Sequence, residues 1–225
     1  MTFPEVEHWI RAQLPPAPVR VLEIGAGDGA LARSLRTSGY DVTAIDPKPE
    51  APDVVPVALA DFTGAGEPFD AALAVVSLHH VEPLDRSVER LAAVMRSGSP
   101  LLVDEFDVAA LDDRAASWWL AQRLARGAAE PETPAELVAT MRSKIHSLDH
   151  LLRVLGRWFE VGERERVTYL YRWKLDDSLR PAEEQLVAEG ALPPTGVRFT
   201  ALRRAPPRPG APRGRGRRAR GPSRS

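Results

Sequence analysis

The sequence predicts an α/β protein built on a doubly wound, mostly parallel β-sheet. Two observations support this fold class. Apolar strand segments alternate with amphipathic helical segments from Val19 to Phe106, and this alternation is typical of a parallel sheet with helices on both faces. The first strand segment runs into the glycine-rich residues 25–29, at the strand-to-helix turn where such sheets bind nucleotides.

Five segments in the first half of the chain have the apolar composition of buried strands. They are Val19 to Ile24, Tyr40 to Ile45, Val54 to Ala60, Asp70 to Leu78 and Leu101 to Phe106. Helices are predicted within residues 1–18, from Ala30 to Ser38 and from Leu84 to Arg96. Pro56 cannot donate a hydrogen bond to a neighbouring strand, so the third segment is expected at an edge of the sheet.

The pattern changes after Phe106, because residues 107–156 carry only helical signals. Thr133-Pro134-Ala135-Glu136 is a capping box with proline at the first helical position, so a helix is expected to begin there. A strand region from Trp158 to Trp173, a short helix from Pro181 to Glu189 and a last strand from Val197 to Leu202 follow. We interpret residues 19–203 as one domain in which residues 107–156 form a helical insert.

The nearly balanced charge of the chain hides an uneven distribution. The 225 residues contain 30 Lys and Arg against 31 Asp and Glu. Residues 204–225 contain eight of the Arg and no acid, so 22 bases face 31 acids in the remainder, a net charge of −9. The Arg/Pro/Gly-rich segment from Arg204 to Ser225 has too little apolar surface to fold, and we expect it to be disordered.

Composition also excludes several classes of function. The chain has no Cys, which excludes thiol nucleophiles, disulfide scaffolds and Cys-ligated metals. No basic and apolar leader occurs at the start, and no run of about 18 apolar residues occurs anywhere. We therefore expect a cytoplasmic protein without a membrane partner.

The strongest motif is Glu23-Ile24-Gly25-Ala26-Gly27-Asp28-Gly29, between the first strand and the next helix. Glycines let the backbone approach a ligand closely, and the helix beyond presents free N–H groups. Asp46 lies 21 residues after Gly25 at the end of the second strand, where a carboxylate can bind ribose hydroxyls. An NAD site stays possible on this spacing, but Glu23 would repel a pyrophosphate and suits a cationic ligand.

At these motifs the sequence resembles the class I S-adenosylmethionine-dependent methyltransferases of the small-molecule branch. The resemblance implies a Rossmann-like sheet of about seven strands, mostly parallel with a late antiparallel strand. It implies S-adenosylmethionine as the cofactor. Leu78-His79-His80-Val81 is similar to a Leu-His-His segment of this branch, whereas Arg96-Ser97-Gly98-Ser99-Pro100 departs from its usual turn. The cofactor-binding residues implied are Glu23, Gly25, Ala26, Gly27, Asp46, Pro47, Asp61, Phe62, Ser77 and Leu78.

His80 and His79 are the candidate catalytic residues, because a neutral imidazole can accept a proton near neutral pH. The alternative is that these histidines only cap a helix or line the pocket. His146 and His150 share a helix face, but no third ligand accompanies them, so we predict no metal site. Asp104 and Glu105 end the fifth strand, where either could meet the substrate or cap a helix. Trp118 or Trp119 could line an acceptor pocket.

These observations favour a methyltransferase that transfers a methyl group to O or N of a small molecule bound by the helical insert. The Asn/Asp-Pro-Pro-Tyr motif of exocyclic-amine methylation is absent and no Cys is present for cytosine C5 chemistry, so DNA bases are disfavoured. The alternatives are a noncatalytic cofactor-binding or RNA-associated protein, since Arg213 to Arg218 resembles RNA-binding RG segments, and an NAD-binding domain. The sequence does not indicate the acceptor or the oligomeric state.

Overall fold

The computed structural model describes residues 3–64, 66–128 and 132–205. Seven strands within these residues form one sheet. They are β1 (Arg20–Ile24), β2 (Asp41–Asp46), β3 (Val55–Pro56), β4 (Ala71–Val75), β5 (Pro100–Phe106), β6 (Phe159–Val167) and β7 (Gly196–Arg203). Their order in the sheet is β3-β2-β1-β4-β5-β7-β6. The first five strands pair in parallel, and β7 runs antiparallel to both β5 and β6.

The sheet confirms the predicted mixed topology and the position of its third strand. β3 lies at one edge, as expected from Pro56. It contains only two residues, because the chain leaves the sheet after Pro56 and forms a 3₁₀ turn at Leu59–Asp61. At the opposite edge, β6 is mostly exposed and charged, a composition that discourages pairing with another sheet.

Helices cover both faces of the sheet and fill the connection between β5 and β6. The helices among the described residues are α1 (Pro4–Gln13), α2 (Ala30–Thr37), α3 (Leu84–Val94), α4 (Asp113–Ala125), α5 (Pro134–Lys144), α6 (Leu148–Leu155) and α7 (Arg180–Ala188). α5 begins with the predicted capping box, in which Thr133 and Glu136 satisfy each other's backbone N–H groups. None of these helices is long and apolar enough to cross a membrane.

Two apolar clusters lie on opposite faces of the sheet and fix its orientation relative to the helices. α1 and α2 contribute to one cluster, which includes Ile10 and Leu35 and packs on β1 and β4. α3 and α6 contribute to the other, which includes Leu91 and Leu151. β4 is buried on both faces, so the carboxyl ends of β1 and β4 lie at the centre of one edge of the sheet. In doubly wound sheets this edge carries the ligand site.

The strand region predicted from Trp158 to Trp173 is wrong in its second half. β6 ends at Val167, and the chain turns sharply through a 3₁₀ turn at Leu170–Arg172. The buried carboxylate of Glu183 causes this turn by accepting hydrogen bonds from three backbone N–H groups, those of Tyr169 (2.9 Å), Leu170 (3.0 Å) and Tyr171 (2.7 Å). A strand would point alternate N–H groups away from one another.

The last described residues lie at the amino edge of the parallel strands. Arg203 pairs with Phe159, the first residue of β6, and the backbone N–H of Arg204 donates to the carbonyl of Trp158 (2.9 Å). The segment predicted to be disordered from Arg204 onward lies outside the described residues except for Arg204 and Ala205. The site described below lies at the other edge of the sheet.

Candidate functional site

The glycine loop after β1 is shaped by three residues with positive φ angles: Gly25 (70°), Gly27 (52°) and Gly29 (69°). This backbone region is costly for residues with a side chain. A Cβ atom on Gly25 would lie 2.4 Å from the Cβ of Ser77. Gly25 therefore allows the loop to pack against the end of β4, and this packing brings two of the predicted cofactor-binding segments together.

A cavity of about 400 Å³ opens beside this loop, between the ends of β1, β2 and β4. Asp46 and Pro47 line it, as do Gly25, Ser77 and His80. Its apolar walls come from Ile24, Ile45, Val57, Ala58 and Leu59. We call this space the nucleoside cavity, because it combines an apolar slot with a carboxylate at the end of the second strand.

Asp46 also fixes the shape of the glycine loop. Its Oδ2 accepts a hydrogen bond from the backbone N–H of Gly27 (3.0 Å), and its Oδ1 accepts one from that of Lys48 (2.7 Å). A carboxylate oxygen has more than one lone pair. Asp46 can therefore accept hydrogen bonds from ligand hydroxyls while it holds the loop.

A second cavity of about 240 Å³ lies on the other side of Gly25. Glu23, Ala26 and Gly27 line it, together with Phe3 and Val6 from the N-terminal helix. Both cavities are lined by Gly25, so they adjoin at the glycine loop. We call it the Glu23 cavity.

Glu23 is the most unusual group in this region. Its side chain is buried, and its Oε2 has no hydrogen-bond partner among the described residues. Burial raises the pKa of Glu23 to about 8, with lesser electrostatic influences from Arg36 and Asp28. An unpartnered buried carboxyl group facing a cavity is complementary to a cationic group of a ligand.

The segment that follows β4 forms the wall between the nucleoside cavity and the rest of the edge. Val76 has a φ of 51°, which is rare for a β-branched residue, and its backbone N–H donates to the carbonyl of Asp104 (2.7 Å). A 3₁₀ turn at Leu78–His80 follows. Ser77 lies at the cavity with its Oγ unpartnered. Leu78 is completely buried in the core and contributes only its backbone position.

Glu105, at the end of β5, holds this turn from the inside of the protein. It is completely buried. Its Oε1 accepts hydrogen bonds from the backbone N–H groups of Ser77 (2.9 Å) and Leu78 (2.6 Å), and its Oε2 is hydrogen bonded to Nδ1 of His79. Of the two roles open for Glu105 from the sequence, the structure favours organisation of this turn.

The two candidate catalytic histidines have different surroundings. His79 is almost fully buried, whereas His80 is exposed and lines the nucleoside cavity. Partial burial lowers the pKa of His80, and the nearby His79 and His146 lower it further against an opposing influence of Glu105. A lowered pKa favours the neutral imidazole of His80, the form that can accept a proton.

The structure does not bring Asp61 and Phe62 to the described cavities. Asp61 is exposed and forms an ion pair with Arg86 (2.9 Å). Phe62 is buried and packs against Phe69. The predicted contacts of these two residues with a cofactor stay predictions, and in the structure Leu59 lies nearer to the cavity from the same turn.

Asp104 is neighbour to Glu105 but belongs to a buried ionic cluster. Its two oxygens accept hydrogen bonds from Arg172 (2.7 Å) and Arg198. The cluster stabilises the packing of β5 against β7 and the turn after β6, and Asp104 is completely buried and lines neither the nucleoside cavity nor the Glu23 cavity. Trp119 likewise belongs to the core, since its Nε1 donates to the carbonyl of Trp173 (2.7 Å). No group of three metal-ligating side chains occurs within the described ranges.

Some residues that line the cavities were not predicted from the sequence, because they lie outside the motifs after β1, β2 and β4. Phe3 and Glu50 line the Glu23 cavity, and Glu82 lines the nucleoside cavity. No local motif marks these positions, because they meet the site only through tertiary packing. The sequence also does not reveal Glu105 and Glu183 as buried hydrogen-bond acceptors, since only their burial in the fold distinguishes them from exposed acids.

The fold and the cavities define the class of protein. A doubly wound sheet with a late antiparallel strand, a glycine loop after β1 and an acid at the end of β2 form a nucleoside-binding α/β domain of the kind found in class I methyltransferases. Residues 3–142 match the methyltransferase domain family. The chain belongs to this family.

Three related proteins illustrate the similarity. An uncharacterised methyltransferase of Mycobacterium tuberculosis is 38% identical over 108 residues, which cover 44% of this chain and 43% of the relative. A ubiquinone biosynthesis O-methyltransferase of Xylella fastidiosa is 28% identical over 176 residues, 68% of this chain and 69% of the relative. The structure of a 1,6-didemethyltoxoflavin-N1-methyltransferase of Burkholderia thailandensis, solved with S-adenosylhomocysteine, superposes with a TM-score of 0.54 at 18% identity, covering 90% of this chain and 78% of that one.

These comparisons confirm the predicted family and fold class. The matched family is a methyltransferase domain, and both curated relatives are methyltransferases. The chain spans less than half the length of the mycobacterial relative that it matches. The structural similarity, at 18% identity, concerns the fold alone.

Proposed function

We propose that this protein transfers a methyl group from S-adenosylmethionine to an oxygen or nitrogen atom of a small-molecule acceptor, by in-line displacement at the methyl carbon. The observation that carries the proposal is that the nucleoside cavity and the Glu23 cavity adjoin at Gly25. One ligand with a nucleoside at one end and a cation at the other would fill both. S-adenosylmethionine has this shape and charge.

The chain's own residues fit the parts of this cofactor. Asp46 would bind the ribose hydroxyls, and Leu59 with Pro47 would contact the adenine. Glu23 would bind the ammonium group, which restores an ionic partner to its buried carboxyl group. Ser77 would lie beside the sulfur, with its free Oγ available for a hydrogen bond. The cofactor supplies the transferable methyl group, and the protein binds and orients it.

The protein's contribution to rate is mainly positional in this proposal. Displacement at a sulfonium has a good leaving group, and holding the reacting atoms in line can lower the barrier by roughly 7 to 11 kcal/mol in ideal cases. The 3₁₀ turn at Leu78–His80, fixed by Glu105, forms a rigid wall at the end of the nucleoside cavity. The acceptor would approach past this wall, next to His80.

A small molecule suits this site better than a nucleic acid. The domain of residues 1–203 carries a net charge of −9, which repels a phosphate backbone. The basic residues 204–225 are the one feature that favours RNA. A variant that lacks residues 206–225 discriminates between these readings, because a metabolite enzyme keeps its turnover and an RNA-binding protein loses its salt-sensitive affinity.

Two measurements test the proposal. Calorimetry with S-adenosylhomocysteine should show one site per chain, and failure to bind at millimolar ligand would refute the cofactor assignment. Transfer of the tritiated methyl group of S-adenosylmethionine to a deproteinised extract of molecules below about 1 kDa, followed by mass spectrometry of the labelled product, would then identify the acceptor. The matched control is Asp46→Ala, which should weaken binding and lower the rate of transfer.

A further inference from the structure

A small cavity of about 130 Å³ adjoins the nucleoside cavity on the side of the helical insert. The two share His80 and Glu82. The remaining lining is His79, Ser143, Lys144, Ile145 and His146, so the connection between α5 and α6 closes it. Its position, next to the wall that follows β4 and outside the space assigned to the cofactor, is that of an acceptor subsite.

The environment of His79 gives its imidazole a fixed orientation. Nδ1 is hydrogen bonded to the buried carboxylate of Glu105, and His79 is one of the residues that line the small cavity. An ionised carboxyl group can accept hydrogen bonds but cannot donate them, so Nδ1 of His79 must carry the proton. The lone pair of the neutral imidazole then resides on Nε2, the nitrogen on the far side of the ring from Glu105.

The neighbouring His80 lacks such a partner. Its ring packs at 4.2 Å from that of His79, and within the described residues no hydrogen bond fixes its orientation. His146 holds the same segment from outside, since its backbone N–H donates to the carbonyl of His79 (3.0 Å) and its Nε2 donates to that of Val81 (3.1 Å). His79 is thus the better organised of the two candidate bases.

We propose that Glu105 and His79 form the unit that removes a proton from a hydroxyl acceptor in the small cavity, with His79 as the catalytic base and Glu105 as a positioning residue. This inference rests on the proposed methyltransferase function. The acceptor's O–H proton passes to Nε2 of His79 and its oxygen forms a bond to the methyl carbon. The carbon–sulfur bond breaks with its electron pair on sulfur, so the sulfonium becomes a neutral thioether.

The charges of the small cavity favour a hydroxyl group over an ammonium group. Lys144 lines it, and its acid, Glu82, lies 3.1 Å from Nε2 of His146. A protonated amine would approach both Lys144 and a positively charged sulfonium. A neutral hydroxyl group avoids both repulsions but must lose a proton. An oriented imidazole can accept that proton.

The tautomer of His79 provides a test that does not depend on turnover. In the ¹⁵N-histidine-labelled chain saturated with S-adenosylhomocysteine, NMR should show His79 with the proton on Nδ1 and a bare Nε2. Glu105→Gln should invert this, because the Gln amide can accept from the backbone N–H groups while its NH₂ donates to Nδ1. A proton on Nε2 in the wild-type protein would overturn the proposal.

Substitution of His79 by Asn separates the roles of its two ring nitrogens. His79→Asn keeps a donor near the position of Nδ1 for Glu105 but removes Nε2. It should lower the rate of labelled methyl transfer by about 100-fold or more, with affinity for S-adenosylhomocysteine within threefold of wild type. The matched control, His8→Asn on the exposed side of α1, should change neither quantity. Transfer by His79→Asn within about threefold of wild type, or an N-methylated product, would overturn the proposal.

The failure of this inference and that of the proposed function are distinguishable. If the wild-type chain does not bind S-adenosylhomocysteine, the cofactor assignment is wrong. If it binds and transfers methyl groups but His79 carries its proton on Nε2, only the Glu105–His79 unit is wrong.

Discussion

The buried carboxyl group of Glu23 makes cofactor binding sensitive to pH. With a pKa of about 8, Glu23 is about 90% protonated at pH 7 in the free protein. An ammonium group of the ligand stabilises the ionised form, so binding should release a proton. We expect S-adenosylhomocysteine to release about 0.9 proton at pH 7 and about 0.1 at pH 9.

The affinity should change in the same range. Only the fraction with ionised Glu23 binds well, so the dissociation constant should be about 50-fold larger at pH 6 than at pH 8. Calorimetry in two buffers of different ionisation enthalpy measures the released protons, and titrations from pH 6 to pH 9 measure the affinity. The control is Glu23→Gln, for which both the proton release and the pH dependence of the affinity should vanish. Equal proton release by wild type and Glu23→Gln would refute the reasoning.

The ionisation of Glu23 should also change the stability of the free protein, but in the opposite direction. A higher pH strengthens ligand binding and lowers the free energy of unfolding. The folded-state pKa of Glu23 lies above its ordinary value of 4.5, so the folded protein binds more protons than the unfolded chain between pH 4.5 and 8. The contribution of Glu23 to the free energy of unfolding therefore decreases as pH rises through this window, by at most about 5 kcal/mol. Thermal unfolding of wild type and Glu23→Gln at pH 5 and pH 8 measures this difference.

Four further substitutions test the site and its support. Asp46→Ala should weaken S-adenosylhomocysteine binding by about 2 kcal/mol, or roughly 30-fold, and an unchanged affinity in calorimetry would contradict its role. Gly25→Ala should lower the melting temperature, because the new Cβ would lie 2.4 Å from that of Ser77. A Cβ on Gly27 would meet nothing within 4 Å, so Gly27→Ala should lower the free energy of unfolding by only about 1 to 2 kcal/mol, through its positive φ. Asp104→Ala leaves the buried Arg172 without its carboxylate partner and should destabilise the fold by about 3 to 5 kcal/mol in denaturant unfolding.

The sequence predicts the centre of the sheet well, because burial on both faces demands continuous apolar segments. β1, β4 and β5 need no other signal, and the glycine loop between β1 and α2 identifies the ligand edge of the sheet. The predicted strand after Gly156 was too long because its aromatic residues fit a strand equally well. The turn that ends β6 depends on Glu183, which comes from a helix later in the chain.

The sequence predicts the site residues whose positions depend on the course of the backbone. It does not predict those whose role depends on the direction of the side chain. Gly25 and Asp46 follow from the ends of two strands, and the structure brings both to one cavity. Asp61 is the last residue of a short 3₁₀ turn, and a rotation of one residue in such a turn decides between cavity and solvent. For His79 and His80, sequence spacing cannot decide which imidazole points inward, because adjacent residues on a turn diverge.

The opposite positions of the two ends of the described chain have a practical consequence. Phe3 lines the Glu23 cavity, whereas Arg203 lies at the amino edge of the sheet, about 20 Å away along a seven-residue strand such as β5. An affinity tag or fluorophore fused in front of residue 3 would sit at the mouth of the cavity and compete with ligands. Immobilisation, labelling and fusion partners belong at the other terminus, where surface-based binding measurements would leave the cavities open.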